Sequence, residues 1–196
     1  MIKIGIIGDI GSGKSYIAKK FNCPVFDADT TVSKIYKKNR IFYKKLKKKL
    51  PNYISSFPIN KKEITQAILE NSNNLNKIVK IVHPIVRIHM NNFIKQHKNK
   101  KIIVLDIPLI LENKINKKNY VLIFVDAEKK EIQKRLRKRA NYNSKILIRL
   151  RKFQLSLEFK KKKSHYLIKN NFKNSYIRQC VKILKKEILK NERSST

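Results

Sequence analysis

Apolar positions along this chain follow two rhythms. Lys3–Ile7 is a compact apolar run ending at Gly8, which predicts a buried strand. Lys14–Phe21 changes to helical spacing, and Pro24–Phe26 predicts a second short strand, closed by Asp27-Ala28-Asp29. From Thr30 to about Lys98 the spacing stays helical. Val32, Ile35 and Tyr36 share a face, as do Phe42, Leu46 and Leu50, then Ile64, Ile68 and Leu69, then Ile78, Ile81, Val82, Ile85 and Ile88. Pro51 and Pro58 break this run. Lys101–Pro108 and Tyr120–Val125 are near-continuous apolar stretches, as central parallel strands require. Glu128–Arg139 predicts an amphipathic basic helix. Asn141–Lys163 is strongly charged, with Leu147, Leu150, Phe153 and Leu157 at helical spacing. Tyr166–Ile168 reads as a last strand, Ser175–Leu189 as a closing helix and Glu192–Thr196 as a frayed tail.

Strands alternating with helices imply an α/β fold built on a mostly parallel, doubly wound sheet flanked by helices. The block at about 30–100 interrupts that alternation and reads as an inserted helical lobe. Residues 141–163 read as a basic helical lid, leaving 1–29, 101–140 and 164–190 as the core of a single domain of 196 residues. No run of 18 apolar residues occurs, so no membrane span is expected. The start, Met1-Ile2-Lys3-Ile4-Gly5, enters the strand pattern without a signal-peptide profile, and the expected location is cytoplasmic.

Charge changes the picture more than size does. Lys and Arg number 48 against 13 Asp and Glu, for a net charge of +35. Nucleic-acid binding is one reading. Compositional drift is the other: Lys, Ile and Asn crowd the chain while Gly, Pro and Ala are scarce, as A/T-rich codons would dictate. The charge is mostly lysine and falls on nearly every element, whereas base edges are read by arginine forks. No specific nucleic-acid partner is therefore expected, although polyanions such as ATP should concentrate near the protein. Cys23 and Cys180 form neither a disulfide framework nor a zinc motif, and read as ordinary thiols.

The chemistry is concentrated in Gly8-Asp9-Ile10-Gly11-Ser12-Gly13-Lys14-Ser15, which matches G-x-x-x-x-G-K-[ST] between a predicted strand and a predicted helix. Such a loop turns successive backbone N–H groups toward phosphate oxygens. Lys14 would reach the β- and γ-phosphates of ATP, and the Ser15 hydroxyl would hold Mg²⁺. All four glycines of the chain lie between positions 5 and 13. In a composition so poor in glycine, that clustering favours the phosphate-loop reading over a chance turn. The GTPase base-reading motif N-K-x-D is missing, since Asn116-Lys117-Lys118-Asn119 lacks the aspartate. A small-molecule kinase fits the short chain and inserted lobe best.

The order and spacing of further segments resemble the dephospho-CoA kinase family over nearly the whole chain. The phosphate loop G-D-I-G-S-G-K-S is similar to that family's G-G-I-G-S-G-K-S, and Asp27-Ala28-Asp29 to its D-A-D. Val82-His83-Pro84-Ile85 is similar to its H-P segment, Pro108-Leu109-Ile110-Leu111-Glu112 to its P-L-L-F-E, and Arg135-Leu136-Arg137-Lys138-Arg139 to its R-L-x-x-R. Gln154 and Asn170 fall where the family carries a lid glutamine and an asparagine before the last helix. The departures are Asp9 for glycine, Tyr16 for threonine, a short glycine-free link from Phe21 to Val25, and Ser164-His165 for Ala-Asp.

The resemblance implies a monomer acting on ATP and dephospho-CoA, the latter entering between core and lobe, with Gly8, Gly11, Ser12, Gly13, Lys14, Ser15 and Tyr16 holding the nucleotide. Asp29, after the second strand, is the expected base for the attacking hydroxyl, with a turn or helix-cap role as its alternative. Asp27 is the weaker neighbour, touching substrate or Mg²⁺ through water. Arg139 is expected on the transferring phosphoryl group and Arg135, one helical turn before it, on the same face; a solvated basic helix is the alternative. His83-Pro84 is read as mainly structural, with Pro84 in the first turn of a helix and His83 a weaker substrate contact. Asp106 is weighed as a Walker-B-like carboxylate, Glu112 more weakly, and Lys161–Lys163 as a solvated run.

Overall fold

The computed structural model describes residues 1–113, 115, 120–140 and 142–193. The near-miss 116–119 and the last three residues of the expected tail lie outside them. The chain forms two compact units. One comprises Met1–Phe26, Asn99–Tyr142 and the chain from Gln154 onward; the other comprises Asp27–Lys98 and Asn143–Phe153.

The first unit is built on the sheet. Its strands are β1 (Ile2–Gly8), β2 (Val25–Asp27, whose last residue opens the second unit), β3 (Ile102–Asp106), β4 (Tyr120–Asp126) and β5 (Tyr166–Lys169). Their spatial order is β2-β3-β1-β4-β5, and β1 pairs in parallel with β3 and β4, as β4 does with β5. All five residues of β3 are buried, which is why its sequence is continuously apolar rather than alternating. Helices α1 (Lys14–Lys20), α6 (Lys129–Arg137), α8 (Leu157–Lys162) and α9 (Asn174–Arg193) belong to this unit. Ile17, Ala18 and Phe21 join Ile177, Val181, Leu184 and Ile188 in one core with the sheet residues Ile4, Ile6, Val104 and Ile123. The short link after α1 works without glycine because Asn22 takes the left-handed turn, φ 48°, a conformation asparagine tolerates better than most residues.

The second unit is helical: α2 (Ala28–Lys38), α3 (Arg40–Lys49), α4 (Lys61–Glu70), α5 (Asn73–Gln96) and α7 (Ser144–Lys152). Most of the predicted faces are its core, with Ile35, Phe42, Leu46, Leu50, Ile64, Ile68, Ile78 and Val82 buried, but Ile88, predicted on the last face, is 60% exposed. Tyr36 stacks on Phe42 at 5.5 Å between ring centroids, and burial pushes its hydroxyl up to a pKa of about 12.

Three local expectations need correction. Pro84 does not open a helix: it lies inside α5. The helix continues through it because Val82, Val86 and Met90 are buried on one stripe while Pro84 faces solvent, and that stripe outweighs the one backbone bond proline removes. The helical spacing from Leu147 to Leu157 is not one helix but α7 and α8. Asn143 caps the first, accepting from the Ile146 amide at 3.0 Å, and Ser156 caps the second, accepting from the Phe159 amide at 3.2 Å. Arg139 follows the end of α6 at Arg137, its amide donating to Leu136 O at 3.0 Å, so the shared helix face with Arg135 stops one turn short.

Candidate active site

In the first unit, β1 delivers the chain into the loop Gly8–Ser15 at the carboxyl end of the sheet, where open α/β sheets bind ligands. Gly8, Gly11 and Gly13 have φ of 147°, 89° and 93°. Side-chain-bearing residues avoid that region. Space is as restrictive as conformation: a Cβ on Gly8 would stand 2.6 Å from Val125 O, and one on Gly11 2.9 Å from Leu136 Cγ. Ile132 and Leu136 of α6 thus form the wall that shapes the loop.

Lys14 Nζ folds back over the loop, donating to Asp9 O at 2.6 Å and Gly8 O at 3.3 Å. The Asp9 carboxylate accepts from the Ile10 amide at 2.6 Å and is buried. The departure from glycine therefore places its charge inside the turn. Ser12 is wholly buried, and its hydroxyl has no hydrogen-bond partner among the described residues. A buried polar group left in that state calls for a partner. Ser15 is exposed, as a hydroxyl awaiting an external ligand must be. Tyr16 is 40 % exposed; its hydroxyl bonds the Asn174 side chain at the start of α9, and Lys20 Nζ lies 4.8 Å above its ring.

Asn170 closes the loop from behind. It is buried, donates from Nδ2 to Ser12 O at 2.7 Å and accepts the Phe172 amide on Oδ1 at 2.8 Å. A Cβ on Gly13 would run into that Nδ2. Phe172, itself at φ 60°, carries the Arg135 guanidinium 4.4 Å from its ring centroid, a cation–π contact. Arg135 and Arg139 line one open cleft of about 460 Å³ with Glu131, Lys134 and Lys138. A neighbouring cleft of about 700 Å³ is lined by Asp126, Glu128, Lys169, Asn170 and Tyr176, among others. Asp106 is buried at the end of β3.

The family departure Ser164-His165 has a scaffolding role here. The Leu122 amide of β4 donates to His165 Nδ1 at 2.9 Å, and the Ser164 hydroxyl to Lys160 O at 2.7 Å.

In the second unit, Asp27 is the N-cap of α2. Its Oδ1 accepts the Thr30 amide at 2.9 Å and its Oδ2 the Thr30 hydroxyl at 2.8 Å. Asp29 sits in the first turn of the same helix and is exposed. His83 is half-buried within α5.

Two residues that matter to the geometry carried no local signal: Phe172 and the buried Lys160. The caps Asn143 and Ser156 did carry one, a capping residue just before each apolar helix start.

The family model for dephospho-CoA kinase matches residues 2–175. The chain is 31% identical over 184 residues to the dephospho-CoA kinase of Wolbachia sp. subsp. Brugia malayi (strain TRS), covering 91% of this chain and 94% of that protein. It is 29% identical over 193 residues to the dephospho-CoA kinase of Bartonella henselae, covering 96% and 98%. In structure it is similar to dephospho-CoA kinase from Campylobacter jejuni, with a TM-score of 0.67, 22% identity, and 98% and 100% of the two chains covered.

Proposed function

The chain belongs to the dephospho-CoA kinase family, which moves the γ-phosphate of ATP onto the 3′-hydroxyl of dephospho-CoA to give coenzyme A, and on that premise we propose how its residues share the work. The carrying observation is the glycine-shaped loop Gly8–Ser15, with Lys14 Nζ across its mouth and the buried Ser12 hydroxyl lacking a partner among the described residues. This is a cradle for a phosphate chain. Gly8, Gly11, Ser12 and Gly13 shape it, and Tyr16 borders it.

In the reaction the acceptor's 3′-oxygen bonds to the γ-phosphorus while the bridge to ADP breaks. The transition state is loose, with charge spread over the phosphoryl oxygens. Lys14 leaves the carbonyls of Gly8 and Asp9 for the β- and γ-phosphates. Arg139, exposed beside Arg135 in the basic cleft, neutralises the transferring group. Asp29 takes the proton of the attacking hydroxyl. In this reading Asp27, both of whose oxygens accept from Thr30, caps α2, and Asp29, after the second strand, keeps the role of base. Asp27 then acts by fixing the helix that carries Asp29, and His83 is a secondary substrate contact.

Ser15, exposed at the end of the loop, would with the nucleotide's own oxygens offer Mg²⁺ the oxygen donors that suit this hard cation. When bound, the ion supplies positive charge to the phosphates.

The test is phosphorylation of dephospho-CoA with ATP, with AMP and adenosine as control acceptors, run on the wild type and on Lys14→Ala. Removing this one preorganised cation should cost ~3–4 kcal/mol of transition-state stabilisation, about a hundredfold or more in turnover. Near-normal turnover in the variant, or equal rates with adenosine, overturns the assignment.

A further inference from the structure

Lys160 is the buried lysine of this very basic chain among its described residues, with its side chain 1% exposed. Its ammonium lies 2.8 Å from Glu112 Oε1 and 2.8 Å from Gln154 Oε1. The same Glu112 oxygen accepts the Leu155 amide at 3.0 Å. Every member belongs to the first unit. Two segments distant in sequence thus meet at one carboxylate: the loop after β3, and α8 with the residues that enter it.

Packing alone does not account for this choice. Removing two charges from water costs several kcal/mol per ion, and an apolar residue of similar volume often serves stability as well or better. What the pair adds is direction. Its hydrogen bonds hold Gln154 and Leu155, the connection between α7 and α8, in one backbone path. α8 packs against β1, the strand that becomes the phosphate loop. Ile110, two residues before Glu112, fills the space beside Gly5 of β1, where a Cβ would come within 2.9 Å of its Cδ1. The Glu112 loop and α8 are therefore both seated on the strand that feeds the loop.

We propose that Lys160 is a positioning residue for phosphoryl transfer: through Glu112 and Gln154 it fixes the approach to α8 on the phosphate-loop strand, and so determines how much γ-phosphate goes to the acceptor rather than to water. This rests on the kinase reading above. Hydrolysis replaces the acceptor's 3′-oxygen with that of water on phosphorus, with ADP leaving in both cases, so a slightly displaced phosphate loop shifts the balance without new chemistry.

Lys160→Met keeps the length and apolar stem and removes the charge. Its unfolding midpoint should fall, because Glu112 is left largely buried without its counter-charge, while the ATP affinity of the folded variant, measured by equilibrium binding, should stay near that of the wild type. Turnover with dephospho-CoA should fall roughly tenfold to a hundredfold, the range a small misplacement can cost, and the ratio of ATP hydrolysed to coenzyme A formed should rise. Glu112→Gln, which retains an acceptor for the Leu155 amide, should shift that ratio the same way by less. If Lys160→Met does not fold, Glu112→Gln decides alone. A folded variant with wild-type turnover and an unaltered ratio overturns the proposal, as does a fall in ATP affinity that accounts for the whole loss. Absence of transfer by the wild type would instead overturn the kinase reading.

Discussion

Two neighbouring aspartates illustrate how environment separates like residues. Asp27 spends both oxygens on Thr30, and Asp29 lies in the first turn of α2 with its side chain exposed. With Asp29 as base, Asp29→Asn should lower turnover by ~10²–10⁴, the usual worth of general-base help, and leave nucleotide binding intact. Asp27→Asn keeps an acceptor for the Thr30 amide and should cost far less turnover; a raised Mg²⁺ requirement in it would show that Asp27 also reaches the ion through water. Binding and turnover at several Mg²⁺ concentrations check both; full turnover in Asp29→Asn with loss in Asp27→Asn would reverse the roles. The loop residues were legible because glycine, lysine and serine stand at fixed local spacing. Asn170 was visible only as a family position, and its bond to Ser12 was not visible at all. Lys160 looked like its solvated neighbours, because nothing local distinguishes a lysine that will meet Glu112 from one that will meet water.

At the scale of elements, period and capping explain most of what could be read. Continuous apolar runs marked β1, β3 and β4 because strands buried on both faces do not alternate. The split between α7 and α8 was obscured because the leucine spacing happens to bridge it. Pro84 misled because its cost is local while the stripe it interrupts is long. The start of α4 carries a testable electrostatic device. Glu63 Oε1 accepts the Ser55 hydroxyl at 2.6 Å and the Ser55 and Ser56 amides at 3.1 Å each. Burial pushes its carboxyl pKa up, but these donors more than offset that, and the pKa ends below its ordinary value. A lowered folded pKa stabilises the native state above the unfolded pKa and loses that stabilisation as pH falls through the folded value. Glu63→Gln should therefore cost about 1 kcal/mol at neutral pH. The gap from wild type should narrow on acidification below about pH 5, as followed by denaturant unfolding across pH. A gap that widens in acid would contradict the sign.

For the molecule as a whole, +35 charges act on partners rather than on fold. Random and structured RNA should bind weakly and alike at physiological salt, with affinity falling linearly on a log–log plot against salt. The KM for ATP should rise with ionic strength while kcat holds. Tight, selective RNA binding that ATP does not displace would show that the charge serves a second purpose. The contact between Asn170 and Ser12 has a consequence in time. The two residues are 158 positions apart, and at the usual pace of ribosomal synthesis on the order of ten seconds separates their appearance. The phosphate loop is made well before its rear support. A nascent chain therefore carries the complete motif before it carries the residue that backs it, and the nucleotide site is finished only once Asn170 has emerged and reached Ser12.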